Sequence, residues 1–445
     1  MSSAASGDLI DLDVTDVAHG GVFVGRHEGR VVFVPDAVPG ERVRVRLTDT
    51  RKSSFWRGDV LEVLDASPHR RAHVWGAADI SRAPDQRAGG ADFGHIDLAH
   101  QRDLKQRVVV DALTRIGRLD LPVTIEAAHG ARGADGVVTA EEAADGTGWR
   151  TRVSLHVDDA GRIGPYSARS HRVIAVDDLP LATSAIEDAA QRPRSPQAGR
   201  LDLVQPADGR VRVLVRPDAG RGPRRGGRGV DEPAAREVVV ETVAGRDFTV
   251  DVGGFWQVHR LAAQTLTDAV VDAVAGALDP DGHHLDLYGG VGLLAAAVAG
   301  VAGPGARITS IESDPRATEH AGENLVDWVG ARAETARVDR WLAAAPDAIG
   351  AAQRERISRG VVVLDPPRAG AGREVVDGIA ALDPARVVYV ACDPVALARD
   401  LATFAGHGYR AAAVRAFDLF PHSHHVEAVA VLDRDTGGSS VEGAR

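Results

Sequence analysis

His284-Leu285-Asp286-Leu287-Tyr288-Gly289-Gly290-Val291-Gly292 decides how the second half of this chain folds. An apolar run enters a glycine-rich turn, and an alanine-rich helical segment follows. Strand, glycine turn and helix in that order open a doubly wound α/β unit. Downstream, Ile308-Thr309-Ser310-Ile311 predicts a strand ending in Glu312. Gly360-Val361-Val362-Val363-Leu364 predicts another, ending in Asp365-Pro366-Pro367-Arg368. Val387-Val388-Tyr389-Val390-Ala391 leads into Cys392-Asp393-Pro394, and Val426 to Leu432 closes the sheet. Upstream, a helix is expected over 257–278. Alternation of strands and helices predicts a parallel sheet, and ligands of open α/β sheets bind at the carboxyl ends of the strands.

The glycine turn has two readings. Gly290-x-Gly292-x-x-Ala295, with Glu312 twenty residues after Gly292, fits the dinucleotide fingerprint. It fits a S-adenosylmethionine (SAM) site equally well. Asp365-Pro366-Pro367-Arg368 favours the second reading. Base-modifying methyltransferases place an acidic or amide residue followed by two prolines beside the methyl donor, whereas a nicotinamide enzyme has no need of it.

Residues 8–65 alternate like half-buried strands, with turn signals about ten residues apart, at His27-Glu28-Gly29 and Pro39-Gly40-Glu41. Five short strands predict a small barrel. Residues 67–254 read as a mixed α+β region with a helix over 104–118 and a basic, glycine-rich loop near 217–235 expected to be mobile. Residues 435–445 are expected to be a disordered tail.

The chain has 445 residues, 44% hydrophobic and 26% charged, as an ordinary globular protein does. A single cysteine excludes a disulfide framework and any Cys-ligated metal or iron–sulfur site. The N-terminus has neither a basic nor an apolar stretch, so a cytoplasmic protein with no membrane partner is expected. The net charge of −11 argues against a general nucleic-acid coat. Its distribution is uneven: 26–57 carries eight basic and four acidic residues, and 192–228 ten and three. A basic 192–236 segment is thus a second place where RNA contact is conceivable, beside the plainer reading as solvated surface.

Gly20-Gly21-Val22, Gly25-Arg26, Val32-Phe33-Val34-Pro35, Pro39-Gly40-Glu41 and Glu62-Val63-Leu64 with Ser67-Pro68 resemble a TRAM domain, an OB-like RNA-binding barrel, over residues 1–66. Arg44, Arg46, Arg51, Lys52, Phe55, Trp56 and Arg57 would then supply phosphate contacts and an aromatic stacking surface. Phe255-Trp256-Gln257, the glycine turn, Ile311-Glu312, Asn324, Asp365 to Gly370, Val390 to Pro394, Leu397-Ala398-Arg399-Asp400-Leu401 and Asp418 to Glu427 resemble the RNA uracil-5-methyltransferase family over residues 255–434. The resemblance implies a Rossmann-like SAM-dependent methyltransferase domain behind the barrel and the central α+β domain.

It further implies Cys392 as the nucleophile at carbon 6 of uracil and Glu427 as the base that removes the carbon-5 proton. Gln257, Tyr288, Gly290, Gly292, Glu312 and Asp365 would hold SAM, and Phe255, Asp365 and Arg368 would meet the target. The nucleophile is expected to have a lowered pKa. Many family members carry a four-cysteine iron–sulfur cluster. Here Arg87 to Phe93 has alanines in place of cysteines, and Leu179-Pro180-Leu181 replaces a Cys-Pro-Leu, so no cluster is expected. No metal is expected at His422, His424 and His425. The partner is RNA, ribosomal or transfer, and a monomer is expected. Three alternatives stand beside this: a methyltransferase acting on another nucleobase, a nicotinamide-dependent dehydrogenase, and an inactive RNA-binding protein.

Overall fold

The computed structural model describes residues 5–131, 138, 140–168, 170–192, 198–217 and 233–435. The loop expected near 217–235 and the tail from 435 therefore lie almost wholly outside the described residues. No helix among those described is long and apolar enough to cross a membrane.

Five strands, β1 (Leu9–Ala18), β2 (Val22–His27), β3 (Arg30–Val34), β4 (Arg42–Asp49) and β5 (Phe55–Asp65), close into a barrel in the order β1-β2-β3-β5-β4. Alternate residues point inward, so Leu12, Val14, Val43, Val45 and Val60 share one core. Glu28 and Gly29 join β2 to β3 with φ of 49° and 82°, the paired positive values of a tight hairpin turn. The same alternation corrects one expectation. Trp56 faces inward and is 1% exposed, so it cannot stack on RNA. Its neighbour Phe55 faces out, flanked by Lys52 and Arg57 at 4.8 and 5.7 Å. Arg44 is tied to Asp11 and Glu62, and Arg51 to Asp49.

The barrel is fixed to the rest of the molecule. Phe93, Ile96 and Leu104 complete its core. Leu104 lies on α1 (Leu98–Ala112), which starts earlier than its apolar period suggested because Asp97 caps it. The far end of α1 joins a second apolar cluster through Val109 and Ala112. Lys105, fully buried on α1, donates to Asp418.

Next come β6 (Ile125–Ala127), β7 (Arg152–Val157), β8 (Ile163–Gly164), α2 (Ser184–Gln191), β9 (Gly199–Val204) and β10 (Arg212–Pro217). A sheet of order β10-β9-β7-β8 forms the centre, and β11 (Val238–Val243) and β12 (Arg246–Asp251) form a hairpin. The expected 257–278 helix is shorter, α3 (Ala262–Val274), because residues 256–260 are held extended against 149–151.

The rest runs β13 (His284–Leu287), α4 (Leu293–Ala302), β14 (Arg307–Glu312), α5 (Pro315–Asn324), β15 (Gly330–Thr335), α6 (Val338–Ala348), α7 (Ala351–Ser358), β16 (Val361–Leu364), α8 (Arg373–Leu382), β17 (Arg386–Ala391), α9 (Pro394–Gly406), β18 (Tyr409–Asp418) and β19 (Glu427–Arg434). Eight strands form one sheet in the order β15-β14-β13-β16-β17-β19-β18-β6. The five from β15 to β17 are parallel, as expected, but β19 runs antiparallel to both β17 and β18. Val361 and Val363 pack on the side of α3 and α4, and Val362 and Leu364 on the side of α8 and α9. Both faces are covered, which is why β16 is apolar at every position.

Candidate active site

The parallel strands end along one edge, and each end delivers a side chain there. β13 ends before Tyr288, β14 in Glu312, β16 before Asp365 and β17 before Cys392. Antiparallel β19 begins with Glu427. Ala391 pairs with Ala428, so one step along the same register sets Cys392 opposite Glu427. The two residues named for the chemistry are thus brought together by strand pairing, from elements 35 positions apart in sequence.

The glycine turn has a mechanical basis. Tyr288 adopts φ 62°, a left-handed conformation costly for a bulky residue. A Cβ on Gly289 would collide with Ser310 Oγ and Asp286 Oδ2. Asp286, beneath the turn, accepts from Ala295 N–H and Ser310 Oγ–H at 3.2 Å each. Burial pushes its pKa up to about 7. Glu312 accepts from Gly290 N–H at 3.1 Å and from Asp314 N–H at 2.8 Å. Asn324 ties the turn to β12, donating to Val291 O at 2.9 Å and accepting from Thr249 N–H at 2.8 Å.

One cavity of about 780 Å³ runs along this edge. It is lined at one end by Gly290 and Glu312 and at the other by Asp365, Arg368, Cys392 and Glu427. Gln257 and Tyr288 also line it, and Phe255, 74% exposed, stands at its rim. Arg152 presents that rim by donating to the carbonyls of Val252 and Gly254 at 3.2 and 2.8 Å. Of the residues named from sequence for catalysis, donor or target, Gly292 alone stays outside the lining. Its φ is 86°, it starts α4, and its Cα faces Ala321 and Leu325, so its part is to let the helix begin and pack.

Electrostatics at the thiol end run against expectation. Burial, then the charges of Glu427 and Asp365, push the Cys392 thiol up to about 12, while Arg368 pulls it down. Burial likewise raises Asp365 to about 7. Glu427 is raised well above the carboxylate range by burial and by Asp365. The lowered thiol pKa expected from sequence is not found, because burial, then the two neighbouring carboxyl groups, disfavour the thiolate.

The loop after Asp365-Pro366-Pro367-Arg368 is held from α9. Asp400 accepts from Ala371 N–H and from Tyr389 Oη–H at 2.8 Å each, and Arg399 donates to Ala369 O at 2.8 Å. Asp393 caps α9 through the amides of Val395 and Ala396. Its other oxygen accepts from His19 Nε2 at 2.8 Å, so the β1–β2 turn of the barrel touches the residue after the cysteine. A smaller opening of about 200 Å³, lined by His19, Gly20, Lys105, Arg368 and His425, reaches Cys392 from the barrel side.

His422 bonds to Gln101 and to Asp145 O, His424 to Asp92, and His425 faces Arg368 at 3.4 Å. No cluster of metal-ligating side chains occurs among the described residues. Ala88, Ala91 and Leu179 are buried in an apolar cluster with Trp75 and Trp149.

Residues 353–435 match the family model described as tRNA (Uracil-5-)-methyltransferase, and residues 5–61 match the TRAM domain. An "uncharacterized RNA methyltransferase" of Streptomyces avermitilis is 37% identical over 453 residues, covering 96% of this chain and 98% of its own. Another, from Bifidobacterium longum, is 37% identical, covering 92% and 93%. Among solved structures, the Pyrococcus abyssi tRNA (uracil-54, C5)-methyltransferase in complex with S-adenosyl-L-homocysteine superimposes with a TM-score of 0.64. It is 19% identical and covers 95% of this chain and 100% of its own, a likeness of fold.

Proposed function

The chain belongs to the RNA methyltransferases of the tRNA (uracil-5-)-methyltransferase family, and from that premise we propose that it methylates carbon 5 of a uridine in RNA, with Cys392 as nucleophile and Glu427 as base. One observation carries the reading: a single cavity joins the glycine turn and Glu312 to Cys392, Glu427 and Asp365.

The donor end fits S-adenosylmethionine. The Gly290 peptide is bare, with open space where a Cβ would stand, and it lines the cavity. Glu312, oriented by three backbone amides, is an acceptor for a ribose diol. Gln257, Tyr288 and Asp365 complete the set of residues we assign to the donor. When bound, the donor supplies the electrophilic methyl group that carbon 5 takes up.

At the other end, Phe255 and Arg368 meet the target nucleotide. Cys392 gives up its thiol proton to solvent, Sγ bonds carbon 6 of the ring, and the double-bond electrons move toward the ring carbonyl, which makes carbon 5 nucleophilic. After methylation Glu427 accepts the carbon-5 proton. The pair left by the C5–H bond restores the ring double bond, and the C6–S bond breaks with its electrons leaving on sulfur as the thiolate. Burial favours the neutral forms of both Cys392 and Glu427, so each must give up a proton before it can act as nucleophile or base.

In the division of labour we propose, the barrel of residues 1–66 grips RNA, the central region positions it, and residues 255–434 do the chemistry. A single chain acts on transfer or ribosomal RNA in the cytoplasm. The test is methyl transfer from labelled donor to unmodified transcripts of both RNAs, followed by nucleoside analysis. Label in 5-methyluridine is expected. Label on another nucleobase would move the reading to that base, and no label in either RNA would reject it.

A further inference from the structure

Arg150 is held on both flanks, and among the described residues its charge meets no carboxylate. Its backbone is clamped on two sides: its N–H donates to Leu181 O at 2.9 Å, and its carbonyl accepts from Thr183 N–H at 3.0 Å. On the other flank Thr151 N–H donates to Val258 O and Arg260 N–H to Trp149 O. The guanidinium lies 5.6 Å from the Trp149 ring, and its Nε donates to Arg152 O at 3.0 Å. No carboxylate pairs with it among the described residues, and its largest charge interaction is with another cation, Arg368. Both arginines line the cavity that contains Cys392.

Arg150 and Arg368 face one space as like charges and repel, and while Arg368 has Glu427 beside it, Arg150 has no carboxylate among the described residues to offset its desolvation. An anion between them removes both penalties. A fixed fork with its terminal amino groups free is suited to a bidentate oxyanion, and phosphate is one. A polynucleotide that inserts one base beside Cys392 must bring its flanking phosphodiesters to the mouth of the same cavity.

We propose that Arg150 binds a backbone phosphate of the RNA next to the target nucleotide. This rests on the RNA-methylation reading above. The other anion that the cavity would admit is the carboxylate of the methyl donor. Proximity to Arg368, at the thiol end away from Glu312, favours the phosphate.

The experiment compares wild type, Arg150→Gln and Arg150→Lys as full chains. RNA binding is followed by fluorescence anisotropy on unmodified transfer-RNA and ribosomal stem-loop transcripts over a range of salt. Binding of S-adenosylmethionine is followed by calorimetry, and folding by thermal melting. Arg150→Gln should weaken RNA binding roughly tenfold and lower the slope of log affinity against log salt by about 0.7 to 0.9. Donor affinity should stay at the wild-type value. Arg150→Lys should keep the salt slope but recover only part of the affinity, since a point charge does not replace the fork. A donor affinity that falls while RNA affinity holds would overturn the proposal in favour of the donor carboxylate. Wild type that methylates RNA, with a folded Arg150→Gln variant binding RNA equally well, would overturn this inference alone. Failure of wild type to bind either RNA would remove it together with the reading on which it rests.

Discussion

Cys392 is the only cysteine, so its ionisation can be read on the whole protein without removing other thiols. Its pKa stands at about 12 against an ordinary 9.0. Three units leave roughly a thousandfold less thiolate than an ordinary cysteine holds at the same pH. Alkylation by iodoacetamide, followed by intact mass, should therefore be slow at pH 7.5. Its logarithm should rise with unit slope from pH 7 to 9.5 without levelling. The perturbation is Glu427→Gln. That change removes the larger of the two neighbouring negative charges wherever Glu427 is ionised, so the curve should shift to lower pH and alkylation should accelerate most at the alkaline end of the window. Accessibility alters the absolute rate but not the pH at which it levels. A wild-type curve that levels near pH 9, or a Glu427→Gln curve identical to it, would refute the shared-charge account of this corner.

Four further outcomes are expected. Gly289→Ala forces a methyl group onto Ser310 and Asp286, so it should destabilise the fold by about 1 to 3 kcal/mol and weaken donor binding, measured by melting and calorimetry. Asp365 has a folded pKa raised to about 7 from 3.8, so the protein gives up stability as pH climbs through that window. Asp365→Asn should accordingly raise the melting temperature at pH 8 and leave it little changed at pH 4. Lys52→Gln with Arg57→Gln should lower the salt slope of RNA binding by about 1 to 2 while donor binding holds, if the Phe55 face of the barrel meets RNA. Trp56→Ala should lower stability by about 3 to 5 kcal/mol, as a core truncation does, in contrast to Phe55→Ala, which should chiefly weaken RNA binding.

The sheet's centre was legible because its strands are covered on both faces. Val361 to Leu364 and Val387 to Val390 have no polar position to confuse the pattern. Its margins were not. Gly330 to Thr335 and Tyr409 to Asp418 are alanine-rich with scattered arginines, and they pair as strands because neighbours supply the ladder. Ile125 to Ala127 joins the same sheet from the central region as a three-residue strand, too short to carry any period. The direction of β19 depends on the return path through 419–426, which no local pattern encodes.

Cys392, Asp365 and Glu312 could be found because each stands at the end of an apolar strand inside a family motif, and Glu427 because it closes the motif from Asp418. Trp56 went astray because adjacent strand residues face opposite sides, and the pair Phe55-Trp56 gives no hint of which is inside. Arg150 left no signal, since an arginine with no carboxylate beside it among the described residues is visible only once its surroundings are. The thiol's raised pKa depends on three groups from three strands meeting in one dry corner, and spacing along the chain does not report that.

The central claim is covalent catalysis by Cys392 with proton removal by Glu427. It is tested by incubating labelled RNA and methyl donor with Cys392→Ala and with Glu427→Gln, then running a denaturing gel. Glu427→Gln permits attack and methylation but blocks loss of the carbon-5 proton, so protein should remain bound to methylated RNA as a shifted band. Cys392→Ala should give neither band nor product. Normal turnover by Glu427→Gln with no trapped band, or product from Cys392→Ala, would contradict the account.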